Sequence, residues 1–234
     1  GSAHRLEMFP LSSWTEKDDH NNPALLPLGK DSLLVAYAKH GTSKEFNTRY
    51  IGRNFKLSPE RSVKHGAGLT YSNLYQLENE EGKIYNFFRG EGWNPNLVTS
   101  TDQGLSWSES TMIFLSGSNS TRPYVKYASD NKGRIDLFYT DGHPRRETEN
   151  NVYHAFYEDG AMHNSRGKKI RSMEAIKDKP LLPGDGTLIY DGSGPGGRGW
   201  VHDFERGKDG ALAGAFISSP DGDEGLDLRY HYAR

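Results

Sequence analysis

The sequence contains no cysteine, which removes disulfides, thiol nucleophiles and cysteine-ligated zinc from the available chemistry. It has no run of about 18 apolar residues, the length a membrane-spanning helix requires. Sustained helical periodicity is missing as well. Residues 171–179 could form one short helix, and Pro180 would stop it. There is no excess of one charge: 29 basic and 31 acidic side chains leave a formal net charge of −2, which gives nucleic acid no general attraction. Neither nucleic acid nor membrane is therefore expected as a partner. The hydrophobic fraction is only 34%, and the mean hydropathy is −0.81. A disordered chain is still not expected, because 12% of the residues are aromatic. The opening Gly1-Ser2-Ala3-His4 lacks the basic end and apolar stretch of a signal peptide and reads as a cloning remnant.

What the sequence does contain is glycine (27 residues), tyrosine (13) and phenylalanine (10), arranged in a repeat. Four short apolar runs each follow a polar turn: Leu33–Tyr37, Ile84–Phe88, Ile135–Tyr139 and Leu212–Phe216. The first three start at residues 33, 84 and 135, a constant 51 apart. A short strand precedes each run (Ala24–Leu26, Asn73–Tyr75, Tyr124–Tyr127 and, more weakly, Val201–Phe204). Another follows each (Thr48–Ile51, Asn96–Val98, Val152–Ala155, Leu228–His231). An up-and-down meander recurring about every 50 residues is the pattern of a β-propeller blade. The fold class expected is all-β, a β-propeller of four-stranded antiparallel blades. Residues 1–17 form a lead-in, and 18–234 form the propeller domain. Ser100-Thr101-Asp102-Gln103-Gly104-Leu105-Ser106-Trp107 fits the S-x-D-x-G-x-x-W Asp-box of such blades, in which Asp and Gly build a turn. Its role is structural.

The repeat also groups residues by position. Counting back 13 residues from Leu33, Ile84 and Ile135 gives His20, Tyr71 and Arg122. Counting forward past the same strands gives His40, Arg89 and the loop Asp141-Gly142-His143-Pro144-Arg145. In a propeller these positions lie at one end of the central channel. Taken singly, His20 reads as a loop residue with a local hydrogen bond, Tyr71 as a core tyrosine, and Arg89 as an ion-paired surface arginine. Taken together they ring a funnel with cations and proton-transfer groups, which suits an anionic ligand. Trp93, in the loop after Arg89, offers a platform for a sugar ring. His4, His65, His154, His163, His202 and His231 lack this register and read as surface or strand histidines.

The ordered set resembles the BNR-repeat polysaccharide lyases, the group of ulvan lyases and rhamnosyl-glucuronate lyases. The resemblance rests on Asp18-Asp19-His20-Asn21-Asn22-Pro23, Tyr37-Ala38-Lys39-His40, Thr70-Tyr71-Ser72-Asn73 and Phe87-Phe88-Arg89-Gly90. It continues through Arg122-Pro123-Tyr124, Thr140-Asp141-Gly142-His143-Pro144-Arg145 and Arg229-Tyr230-His231, covering nearly the whole chain from Asp18. It implies a seven-bladed propeller, of which 234 residues would cover four to five blades. It implies His20 and Tyr71 as the acid/base pair, and His40 and Arg89 as the groups that bind a uronate carboxylate. Arg145, or Arg122 in its place, would make a further substrate contact, with His143, Trp93 and Asn73 lining the site.

The activity so implied is β-elimination at a rhamnose–uronic acid linkage of an anionic polysaccharide such as ulvan, leaving a 4,5-unsaturated uronate. Elimination requires no cofactor. Some members of the group hold a structural metal, and a zinc or calcium ion here would have to use histidines and carboxylates. The substrate implies secretion or periplasmic export, and an unfinished ring would favour oligomers. Two alternatives differ in chemistry. An α-L-rhamnosidase-like hydrolase would need two carboxylates flanking the bond, and only Glu91 and Asp141 fall near the expected funnel. A non-catalytic carbohydrate-binding propeller would keep Trp93 and the arginines but not need His20 and Tyr71.

Overall fold

The computed structural model describes residues 8–14, 16–18, 20–65, 69–116, 122–220 and 228–234. It is built from four successive antiparallel sheets, in the order the repeat predicts. The first contains β1 (Ala24–Leu28), β2 (Ser32–Tyr37), β3 (Glu45–Gly52) and β4 (Arg61–Lys64). The second contains β5 (Thr70–Leu77), β6 (Lys83–Arg89), β7 (Pro95–Ser100) and β8 (Thr111–Met112). Both are four-stranded meanders, and each strand pairs with the next in sequence. The second strand of each blade lies between neighbours on both edges and both faces. Its sequence is accordingly a continuous apolar run rather than an alternating one, and β6 is buried from Ile84 to Arg89.

The third blade departs from four strands. It contains β9 (Val125–Ser129), β10 (Arg134–Thr140), β11 (Val152–Glu158), β12 (Ala161–Asn164), β13 (Lys169–Ser172) and β14 (Thr187–Tyr190). The position outside β11 is divided: β12 pairs with its Ala155–Glu158 half, and β14 pairs with its Val152–His154 half. Between them runs α1 (Met173–Asp178), capped by the Ser172 side chain accepting from the Ala175 N–H. This is the short helix expected before Pro180. The fourth blade contains β15 (Arg198–Arg206), β16 (Leu212–Ser219) and β17 (Arg229–Ala233), so it has three described strands where four were expected.

Each pair of adjacent blades shares one apolar core and one polar brace. Leu34 and Phe46 of the first blade pack with Ile84, Phe88 and Val98 of the second, and the Asp-box turn docks on the same seam. Asp102 accepts from Ser106 N–H and Oγ–H and from Ser100 Oγ–H, which holds its carboxyl down at about 2. Gly104 lies at φ +91° with Leu34 so close that a Cβ would sit 2.8 Å from it. Trp107 meets Phe46 edge-on. At the next seam Glu80 of the second blade accepts from Tyr85 and from Tyr157 of the third, at 2.5 and 2.6 Å.

The third seam carries a buried charge. Asp136 is fully buried on β10. It receives Arg134 at 2.6 Å, Arg206 of the fourth blade at 2.7 Å and His154 Nε2 at 3.2 Å. Burial alone would raise the Asp136 pKa; the bonds from His154 and Arg134 outweigh it and hold the carboxyl below its usual value. Asp136→Asn leaves two guanidiniums without their anion and is expected to cost about 3 kcal/mol, measured by denaturant unfolding. A carboxyl held low in the folded state stabilises in full above its unfolded value of about 4 and loses that contribution as pH falls through the folded value. Acidification should therefore narrow the gap between wild type and variant; equal unfolding midpoints at pH 7 would contradict the brace.

Candidate functional site

The ends of β1, β2, β5 and β6 bring one group of side chains together where the first two blades meet. Tyr71 owes its direction to an irregularity in β5. Thr70 pairs with Arg89 and Asn73 with Phe87, so three steps on β5 oppose two on β6. The extra residue is a bulge, a device that re-aims a side chain, and Tyr71 takes up the left-handed region at φ +58°. Asn73 secures the bulge by donating its Nδ2–H to Tyr71 O at 2.7 Å and Phe87 O at 3.3 Å. Thr70 Oγ donates to His20 O at 2.7 Å, which ties the loop before β1 to the second blade.

On that loop, Asp18 bridges two imidazoles. Its Oδ1 lies 2.6 Å from His20 Nδ1 and accepts the His20 backbone N–H at 2.8 Å. Its Oδ2 lies 2.8 Å from His40 Nδ1. The His20 backbone bond, with those of the His40 and His20 rings, outweighs desolvation and holds the Asp18 carboxyl at about 2. The two rings stack with centroids 4.1 Å apart and planes 5° from parallel. His20 also meets the Tyr71 ring at 5.4 Å. The His40 backbone N–H is held by Glu16 at 2.7 Å.

Arg89 closes the group. It is only 7% exposed, and its guanidinium lies 4.7 Å from the Tyr71 ring centre and 4.8 Å from that of Trp93. Its Nη2 is 2.7 Å from His40 Nε2, and its Nε makes no hydrogen bond. Burial lowers its pKa, Tyr71 and Tyr124 oppose the shift, and Arg122 adds to it. Among the described residues, no carboxylate pairs with Arg89. The Arg122 guanidinium also lies over Trp93, at 5.1 Å, so two cations share one indole. Trp93 rests directly on Gly41, which has φ +72°; a Cβ there would fall 2.2 Å from the ring.

A cavity of about 280 Å³ opens beside this group, lined by Tyr71, Asn73 and Arg89 and, from the third and fourth blades, by Tyr124, Lys126, Trp200 and His202. Of the residues singled out from the sequence, His20, His40, Tyr71, Arg89, Trp93 and Arg122 form one contiguous cluster. Asn73 stands behind Tyr71. His143 is one step away, edge-on to Tyr124 at 5.3 Å. Arg145 is exposed on the same loop, its backbone N–H donating to His143 Nδ1. A sugar platform on Trp93 would have to use what the two guanidiniums leave of its ring.

Sequence reasoning gave no role to Asp18 or Tyr124, although both lie inside the motifs quoted. It assigned His202 to the surface or a strand, whereas His202 also lines the cavity; burial and then Lys126 lower its pKa. It missed Trp200 because the fourth interval departs from the 51-residue period. Asp18, His20 and His40 each bring a potential metal-binding atom within 4.8 Å of the others. Those atoms are already bonded to one another, and Arg89 occupies the far nitrogen of His40. The three side chains are thus engaged in a hydrogen-bond network that joins the Asp18 carboxylate to the Arg89 guanidinium through His40.

The fold that carries this cluster has counterparts among solved structures. Two solved structures of a PL25 ulvan lyase, one bound to -[GlcA(1-4)Rha3S]-, superpose with TM-scores of 0.69 and 0.67 at 16% identity. In each case 94% of this chain aligns with 57% of the lyase chain, so the chain spans little more than half the length of these lyases. An α-L-arabinanase from Penicillium chrysogenum, complexed with arabinobiose, aligns at a TM-score of 0.50 and 14% identity, over 91% of this chain and 61% of its own. At such identities the likeness is one of fold, here the propeller. A search of the curated proteins by sequence gives no match. The family model described as "BNR repeat-containing family member" matches residues 3–217, and the chain belongs to that BNR-repeat family.

Proposed function

We propose that the cluster is the active site of a polysaccharide lyase that cleaves a rhamnose–uronic acid linkage by β-elimination, with ulvan as the model substrate. The observation that carries this reading is Arg89, a buried cation without a carboxylate partner among the described residues. Closing a permanent charge away from water is costly unless an anion meets it, and a guanidinium can grip both oxygens of a carboxylate. The fold shared with an ulvan lyase is consistent with a carbohydrate-active propeller enzyme.

The chemistry needs what lies within reach of that cation. The C5 proton of a uronate is weakly acidic while the adjoining carboxylate holds its full negative charge. Arg89, with Arg122 nearby, stabilises the charge that develops as the proton leaves. A base takes the C5 proton, the electron pair forms the C4–C5 double bond, the C4–O4 bond breaks and an acid protonates O4. His20 and Tyr71, 5.4 Å apart between ring centres, are the two proton-transfer groups beside the guanidinium. Trp93 and His40 aim Arg89, and Asn73 holds the Tyr71 bulge. Hydrolysis through two carboxylates finds less support, because the acid nearest the cluster, Asp18, is tied to both imidazoles.

Incubation with ulvan separates the readings: elimination gives the ultraviolet absorbance of an unsaturated uronate, and hydrolysis gives reducing ends without it. Binding with no product would leave a carbohydrate-binding module. Tyr71→Phe and His20→Ala are each expected to lower kcat by about 10²–10⁴-fold with an unchanged circular dichroism spectrum; full activity in Tyr71→Phe would remove it from the proton transfer. Arg89→Ala should lower kcat/KM by about 10²–10³-fold, and an unaltered rate would take the carboxylate elsewhere. Gly41→Ala must displace Trp93, so its effect should fall on KM and kcat together; wild-type kinetics would show that the Trp93–Arg89 stack is dispensable.

A further inference from the structure

We propose that Trp200, His202 and Lys126 form a second anion subsite in the cavity beside Arg89, and that it takes a sulfate ester carried by a sugar lying on Trp200. That the neighbouring sugar is a uronate held by Arg89 rests on the lyase reading. The subsite itself rests on the third and fourth blades alone.

A strand bulge builds it, as one does for Tyr71. Val201 of β15 pairs with Phe216 and Asp203 with Ala215, so two steps on β15 oppose one on β16 and His202 is the extra residue. Burial records the same slip. Val201 and Phe204, three residues apart, both enter one apolar cluster with Phe138 and Phe216, which strict alternation would forbid. With Val201 anchored inward, Trp200 and His202 line the cavity and their rings meet at 5.3 Å. Tyr124 stands edge-on to Trp200 at 6.3 Å and also counters the effect of burial on Arg89, so one phenol adjoins both groups. Lys126, exposed on β9, brings a cation from the third blade.

The charges call for an anion and indicate its shape. Among the described residues, no acidic side chain lines the cavity. Asp203, next to His202 in sequence, accepts the Phe204 N–H at 2.9 Å. The charged and titratable groups on the walls are Arg89, Lys126, His202 and the phenols of Tyr71, Tyr124 and Tyr127. Burial and then Lys126 lower the His202 pKa, so at neutral pH the pair offers one positive charge and one uncharged N–H. Arg89 presents coplanar donors, the match of a carboxylate. Lys126 is a point charge, and the imidazole comes from a different blade. Donors converging from two blades suit the tetrahedral oxygens of a sulfate or phosphate monoester. A single positive charge favours sulfate, since a phosphate monoester carries roughly two negative charges at neutral pH. Trp200 supplies the apolar face for the sugar ring that bears the ester.

The first test needs no turnover. In the full-length protein, the His202 ring signals, assigned with His202→Gln, are followed by proton NMR through a pH titration. One series contains glucose 6-sulfate and the other sodium chloride at equal ionic strength. An anion beside the imidazole favours its charged form, so the sulfate ester should raise the His202 midpoint by about one unit. The rise should shrink in Lys126→Ala. An equal midpoint in chloride, or a full rise in Lys126→Ala, overturns the subsite. Tighter binding of glucuronate or glucose 6-phosphate, read from the concentration that half-completes the shift, overturns its assignment to sulfate. If the protein eliminates ulvan, desulfating the polymer should lower kcat/KM about tenfold in the wild type and by less in Lys126→Ala; equal ratios would also overturn the subsite. A wild type that shows the sulfate-linked shift but no elimination would refute the reaction and leave the subsite standing. Elimination without the shift would do the reverse.

Discussion

A guanidinium closed into the seam between two blades, with no acid among the described residues to neutralise it, governs the arrangement of everything near it. Arg89 is the last residue of β6, and its charge is tolerated because aromatic faces and hydrogen-bond acceptors replace the water it gave up. Tyr71 and Trp93 supply the faces, and His40 supplies an acceptor. The aromatic faces attract a cation through their quadrupoles, and none of these groups brings a full negative charge that would compete with a ligand. An acidic partner would have made a comfortable ion pair and a useless site. On the proposed reading, that open place is where the uronate carboxylate would sit.

The same residues explain why the site lies between blades rather than within one. A single meander cannot put a cation, a phenol and two imidazoles side by side, because neighbouring positions on a strand face opposite ways. Here β1 and β2 contribute the histidine side and β5 and β6 the tyrosine and arginine side. Thr70 to His20, and Arg89 to His40, are the stitches. The Asp-box turn against Leu34 closes the same seam further out, and the next two are closed by Glu80 beneath Tyr85 and Tyr157 and by Asp136 between Arg134 and Arg206. Rigidity at the seams is what keeps the side chains of the candidate site in register.

Much of this was legible in the sequence because a propeller writes its geometry in its period. The apolar runs beginning at 33, 84 and 135 became β2, β6 and β10, and their constant spacing brought His20, Tyr71 and Arg122 to one rim. The reading stopped where contacts depend on atoms rather than on register. Nothing in Asp18-Asp19-His20 tells that the first aspartate spans to a histidine 22 residues on. Nor does the sequence tell that both guanidiniums would settle on Trp93. The fourth interval hid more. An outer strand position divided between β12 and β14, with a helix between them, lengthened the spacing and took Trp200 and His202 out of phase. Blade strand number proved less regular than blade period for the same reason.

The 51-residue register has a further consequence for how such a chain can change. His20, Tyr71 and Arg122 occupy the same address in three successive units, yet carry an imidazole, a phenol and a guanidinium. Each address can be rewritten without touching the apolar strands that fold its blade, since none of the three belongs to those runs. New chemistry at this rim is therefore a matter of exchanging single side chains on mountings already built, and the scaffold sets how far apart they stand rather than what they are.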